Sequence, residues 1–89
     1  MDILRVSSSS RSRALAGAIA GMVREQGRVE LQAIGAAAVN QATKAIAIAR
    51  GFLELDGFDM VMIPIFTKVD IADQEKTAVK LIVEQRQLS

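Results

Sequence analysis

Between residues 28 and 34 the chain alternates: Val29, Leu31 and Ala33 against Glu30, Gln32 and Ile34. A period of two with one apolar side predicts a half-buried strand. The pattern then changes. From Gly35 to Gly51 seven alanines (Ala36, Ala37, Ala38, Ala42, Ala45, Ala47 and Ala49) are interspersed with Val39, Ile46 and Ile48. Alanine is the best helix former and glycine a helix stop, so one helix of about four turns is expected, ending at Gly51. Val39, Ala42, Ile46, Ala49 and Leu53 recur at helical spacing and predict a buried stripe. Gln41, Ala45, Ile48 and Phe52 form a second, mostly apolar stripe. A helix apolar on two sides is covered by its own sheet and by a second element or subunit.

The flanking segments complete the set. Residues 2–6 read as a short strand, with Leu4 and Val6 against Asp2 and Arg5. A hydroxyl-rich loop from Ser7 to Arg13 supplies candidate N-caps for a helix from about Arg13 to Gln26. That helix shows Leu15, Ile19, Met22 and Val23 on one face and stops at Gly27. Its small face, with Gly17 and Gly21 four apart, predicts tight packing of the central helix there. After the Asp56-Gly57 turn, residues 58–66 form an apolar strand interrupted by Pro64. Proline donates nothing to a ladder, so this strand belongs at a sheet edge or carries a bulge. A polar hairpin tip over 70–75 and a last alternating strand over 76–84 follow.

One-sided strands place helices on one face only, unlike a sheet buried on both. The fold class is therefore α+β: a two-layer β-α-β-α-β-β sandwich, two helices over a four-stranded mixed sheet in order 1-2-4-3. Strand 4 inserts antiparallel between strand 2 and the Pro64 strand. The open face carries Arg5, Glu30, Gln32 and Lys80.

Composition narrows the function. Eighty-nine residues make one small domain, 1–89, burying only roughly 60–65% of its unfolded surface. There is no cysteine and no histidine, which removes thiolate chemistry, imidazole-assisted nucleophiles and the usual zinc sites. No carboxylate pair sits in a defined pocket pattern, so no enzyme, metal site or cofactor is expected. Asp70, Asp73 and Glu75 lack calcium-loop spacing and read as a solvated tip. Nothing resembles a signal peptide or a membrane span, and a cytoplasmic protein is expected. Net charge is only +1, but residues 1–50 carry seven basic and three acidic groups, while 51–89 carry four and seven. An anionic partner should therefore meet the N-terminal half.

Strands 1 and 2 should be parallel, and each leads into a helix. Both helix starts then lie at one end of the sheet with their free N–H groups and positive dipole ends together. Ser7 to Ser10, Arg11 and Arg13 come from one loop; Gly35, Asn40, Gln41 and Lys44 come from the other. This outlines a phosphate site. Set equally against it is a plain reading in which the serines cap a helix and the cations are solvated. The phenylalanines, Phe52, Phe58 and Phe66, stand in apolar contexts and give little support to base stacking.

Met-Asp-Ile-Leu-Arg-Val-Ser, Leu-Ala-Gly-Ala-Ile-Ala-Gly, the block from Leu31 to Phe52 and Thr-Ala-Val-Lys-Leu-Ile-Val-Glu together resemble the stage V sporulation protein S family, from Met1 to about Arg86. The resemblance implies a small bacterial cytoplasmic regulator associated with sporulation and spore-coat assembly. It also implies an Alba-like fold and hence a nucleic-acid binder, of DNA or RNA. Alba-type chromatin proteins are homodimers that grip nucleic acid with the loop before helix 1, the start of helix 2 and the final hairpin. By position this implies Ser7 to Arg13 (Ser9, Ser10, Arg11 and Arg13 above all), then Asn40, Gln41 and Lys44, with Lys68 and Lys76 as further candidates. Two departures stand out: Gln41 occupies a place where Alba chains typically carry lysine, and the hairpin tip is acidic. The reading is a homodimer or higher even oligomer contacting phosphates, with no membrane and no small-molecule substrate. The alternative is an assembly module that binds other proteins and no nucleic acid.

Overall fold

The computed structural model describes residues 3–87. Six elements follow in the order β1 (Ile3–Val6), α1 (Ser12–Gln26), β2 (Arg28–Ala33), α2 (Ala36–Glu54), β3 (Phe58–Ile71) and β4 (Gln74–Gln87). Asp2, expected at the head of β1, lies outside the described residues. The sheet order is β1-β2-β4-β3, with β1 parallel to β2 and the other pairs antiparallel. This is the expected α+β arrangement, with Pro64 on an edge strand whose register runs without a bulge.

Alternation in β2 sets the two layers. Val29, Leu31 and Ala33 are buried, and so are Leu81 and Val83 of the neighbouring strand. They pack against Ala16, Ile19, Ala20 and Val23 of α1 and against Ala38, Ala42, Ala45, Ala49 and Leu53 of α2. Alanines on that face let α2 lie close to the sheet, where larger side chains would hold it off. On the other face Arg5, Gln32 and Lys80 share one row of the ladder. Glu30 takes a hydrogen bond from Arg28 at 2.8 Å and lies 3.5 Å from the Lys80 ammonium. No helix is long and apolar enough to cross a membrane.

Three local expectations are corrected. Helix α2 does not end at Gly51 but runs on to Glu54, because its next turn buries Leu53 completely. Burying a leucine gains roughly 1.5–3 kcal/mol, more than the roughly 0.5–1 kcal/mol a helical glycine costs. Gly17 and Gly21 do not receive α2 either: a β-carbon at either position meets no atom within 4 Å. The buried small residues of α1 are Ala16 and Ala20, a different face. Finally, the hairpin strands are much longer than their apolar parts. Strand β2 ends at Ala33, opposite Val79, so residues 67–78 form a two-stranded arm paired only with itself. The arm helps stretch the molecule to 44 Å along its longest axis.

The arm closes on a two-residue turn, Ala72 and Asp73, both with positive φ (51° and 61°). This geometry matches strand twist but favours Asn-Gly, since a side chain in the left-handed region costs roughly 1–2 kcal/mol. Ala72→Asn with Asp73→Gly is expected to tighten the arm. Amide exchange over residues 67–78 should slow about fivefold, the equivalent of about 1 kcal/mol. Unchanged exchange would show that the turn is not strained.

The lower end of β3 is tied to α2 by Arg50 and Asp59, whose Nε–Oδ1 distance is 2.6 Å. The hydrogen bond from Arg50, with a second from the Met60 N–H, holds the Asp59 carboxyl below the usual range. A carboxyl with its folded pKa below the unfolded one stabilises the fold above the unfolded value and loses that contribution as pH falls further. Asp59→Asn is therefore expected to lower stability at neutral pH and to flatten its fall below about pH 4, as followed by denaturant unfolding across pH. An equal loss at every pH would show the charge to be irrelevant.

Candidate nucleic-acid interface

Parallel pairing of β1 with β2 brings two helix starts to one end of the sheet. Helix α1 begins at Ser12 after Arg11, and α2 begins at Ala36 after Gly35; neither cap position supplies a side-chain hydrogen bond. The first helical bonds are Leu15 N–H to the Arg11 carbonyl, 3.0 Å, and Val39 N–H to the Gly35 carbonyl, 3.1 Å. The amides of Ser12, Arg13 and Ala14, and of Ala36, Ala37 and Ala38, therefore precede the ladders and have no intrahelical acceptor. Neither first turn holds an acidic residue. Six amides and two dipole ends thus offer positive potential, with the arm's Asp70 as the acidic side chain lining the groove beside the α2 start.

The serines do not cap α1, in contrast to the plain reading. They bond among themselves. Ser10 N–H donates to the Ser7 carbonyl at 3.1 Å, Ser7 N–H to Ser10 Oγ at 2.9 Å, and Ser9 N–H to Ser7 Oγ at 3.3 Å. Their hydroxyls shape the loop and leave the helix amides open. Gln41 joins the two sides: its Nε2 donates to the Ser10 carbonyl at 2.6 Å. Glutamine where Alba chains typically carry lysine thus serves as a strut between α2 and the serine loop.

Among the expected site residues, Ser9, Arg11, Arg13, Asn40 and Lys44 are exposed, while Ser10 and Gln41 are half-buried. Among the described residues Arg11, Arg13 and Lys44 form no ion pair, whereas Arg24, Arg28, Arg50, Lys68 and Lys80 do. Gln41 and the serine loop are brought together by a direct bond. Asn40 lies on another side of the α2 start, in a hollow with Val39, Thr43 and the ring of Phe66. Lys68 and Lys76 stand on the arm, and Lys68 is 3.3 Å from Glu75, which offsets its charge.

Beside the α2 start runs a groove of about 910 Å³, lined by Arg5, Ser7, Ser8, Gln32, the first turn of α2 and Val69 to Ile71 of the arm; Arg11, Arg13, Asn40, Gln41 and Lys44 do not line it. The strand alternation puts Arg5 on the open face but gives no sign that it stands beside the α2 amides. Val69 and Ile71 carry no signal of a role, because the apolar run that predicts β3 ends at residue 66. The signal for Arg5 was present: it is the penultimate residue of the strand that feeds the serine loop.

The fold is shared with a known protein. Alba from Thermoplasma volcanium superposes with a TM-score of 0.62, covering 97% of this chain and 100% of that one at 10% identity. That likeness defines the fold. At the level of sequence, the model of the stage V sporulation protein S family matches residues 2–86, nearly the whole length. With so complete a match, the chain belongs to the stage V sporulation protein S family, carried on an Alba-like fold.

Proposed function

We propose that this chain is a non-enzymatic, sporulation-associated regulator of the cytoplasm that binds nucleic acid through its phosphate backbone. One observation carries the reading. Two uncapped helix starts meet at one end of the sheet, with Arg11, Arg13 and Lys44 exposed and unpaired among the described residues. Helix amides and dipoles favour anions, and the exposed cations, Arg11 and Arg13 at the α1 start and Lys44 two turns into α2, extend the contact to neighbouring phosphates. Helix amides and exposed cations address phosphate oxygens, so binding is expected to be largely indifferent to sequence. The family resemblance implies contacts at the same end of the fold, which supports the reading.

A second copy is part of the proposal. Phe66 is 82% exposed and Leu55 is 89% exposed, with Phe52 of α2 also in solvent. Apolar groups of this size left outside a small core favour association. The same side chains favour the second reading, a module that assembles with other proteins and binds no nucleic acid.

Titration of duplex DNA and of structured RNA at two salt concentrations separates the readings. Phosphate binding must weaken steeply as salt rises, since counterion release drives it. Absence of binding at low salt would leave the assembly reading standing alone.

A further inference from the structure

The outer edge of β3 has a hydrogen-bonding phase that three residues reveal. Pro64 has no N–H. The Met60 N–H donates to Asp59 Oδ1 at 2.8 Å. In β4 the Gln85 N–H donates to the Gly27 carbonyl at 2.9 Å, toward β2. Bonding direction alternates along an antiparallel strand. Odd residues of β4 therefore bond toward β2 and even ones toward β3, which leaves the even residues of β3 facing outward. Along the body this edge is interrupted twice, at Met60 by a side chain and at Pro64 by the ring. From Phe66 outward it is not: Phe66, Lys68 and Asp70 present their N–H and carbonyl groups in succession. Among the described residues none of these three N–H groups meets an acceptor outside the hairpin ladder.

Charge selects what fits this edge. Asp70 lies opposite Glu75 in the ladder, carboxylate against carboxylate. Lys68 reaches Glu75, and among the described residues Asp70 has no cation. Cross-strand like charges disfavour a pair, and an opposite charge supplied from outside would offset them. Two copies of this segment supply it to each other. If β3 meets its own copy antiparallel about a twofold axis at Val69, Lys68 lies opposite the partner's Asp70 and Asp70 opposite the partner's Lys68. Centring on Lys68 or on Asp70 instead sets like charges face to face. Centring on Thr67 sets Asp70 against Pro64, which has no N–H to give.

We infer that the outer edges of two arms pair antiparallel about Val69, joining two copies of this chain through a four-stranded ribbon. The inference rests on the homodimer reading for the presence of a second copy, and not on nucleic-acid binding. The segment is complementary to itself in both charge and bonding phase, which is what an isologous contact demands. Strand addition at a free edge supplies main-chain hydrogen bonds, and the paired charges fix the register.

The chain has no cysteine, so Val69→Cys in the full chain provides a single thiol. Residues facing each other at a non-hydrogen-bonded position have Cα atoms about 4.5 Å apart, inside the range that a disulfide spans. With diamide as oxidant, Val69→Cys is expected to convert to a covalent dimer. Thr67→Cys, about 13 Å from its own copy in this register, should not. In sedimentation equilibrium, Lys68→Asp sets two carboxylate pairs opposite each other and should weaken the dimer about tenfold. Adding Asp70→Lys to it restores opposite charges and should recover the dissociation constant to within about threefold. A monomer at micromolar concentration overturns the inference together with the homodimer reading. A dimer in which Val69→Cys links no better than Thr67→Cys overturns the arm contact alone, and so does a double variant that stays weak.

Discussion

Arg11→Ala combined with Arg13→Ala is expected to weaken binding to DNA and to RNA between about tenfold and a hundredfold at low salt, about 0.7–1.4 kcal/mol being lost with the solvent-exposed contact at each position. Both arginines are exposed and form no ion pair among the described residues, so the fold has little stake in them. Stability should stay within about 0.5 kcal/mol of the parent. The loss should be uniform across sequences, because contacts to phosphate carry no base readout. The logarithmic salt slope should also flatten by about one unit for each contact removed. This second readout matters. A variant that bound less because it was partly unfolded would lose affinity and keep its slope. Asp73→Ala, at the acidic turn of the arm, serves as the control and should leave binding unchanged or slightly tighter. If the double arginine variant binds like the parent at low salt, the helix-start site is not the contact.

The fold could be read so far because its decisive signals were local and two-valued. Val29, Leu31 and Ala33 against Glu30 and Gln32 fix which face of β2 is covered, and Pro64 excludes a central position for β3. The arm was only partly legible: its polar tip and the last strand from residue 76 showed, but the continuation of β3 beyond residue 66 did not. Val69 and Ile71 do alternate with Lys68 and Asp70, but over too few residues to predict a strand, and none of residues 67–71 is buried. Pairing in solvent, not burial, extends β3 to Ile71 and β4 back to Gln74. The site was legible in outline for a similar reason. Topology put the two helix starts together, whereas the Gln41 bond to Ser10 and the internal bonding of the serines depend on loop geometry. Composition alone does not encode that geometry. Glycine gave the opposite kind of error. Gly27 ends α1 in the left-handed conformation as its position suggests, but Gly51 is only an exposed step in a helix held from beyond by Leu53.

That last point carries the largest stability effect expected in the chain. Leu53 is fully buried among the core residues at the far end of α2. Leu53→Ala should destabilise the protein by about 2–5 kcal/mol, transfer and cavity terms together. A domain of this length has only about 4–13 kcal/mol in total. Gly51→Ala, two residues away, should act in the opposite sense. A β-carbon at Gly51 meets no atom within 4 Å and the backbone there is helical. Stability should therefore rise by about 0.5–1 kcal/mol. Urea unfolding reads both as shifts of the midpoint at constant slope. The signs test the helix boundary itself. If Gly51 were a true stop in the left-handed conformation, alanine there would be strained and destabilising, and Leu53 would lie in a loop where truncation costs little. A falling midpoint for Gly51→Ala, or a small loss for Leu53→Ala, would place the end of α2 at Gly51 and remove Leu53 from the core.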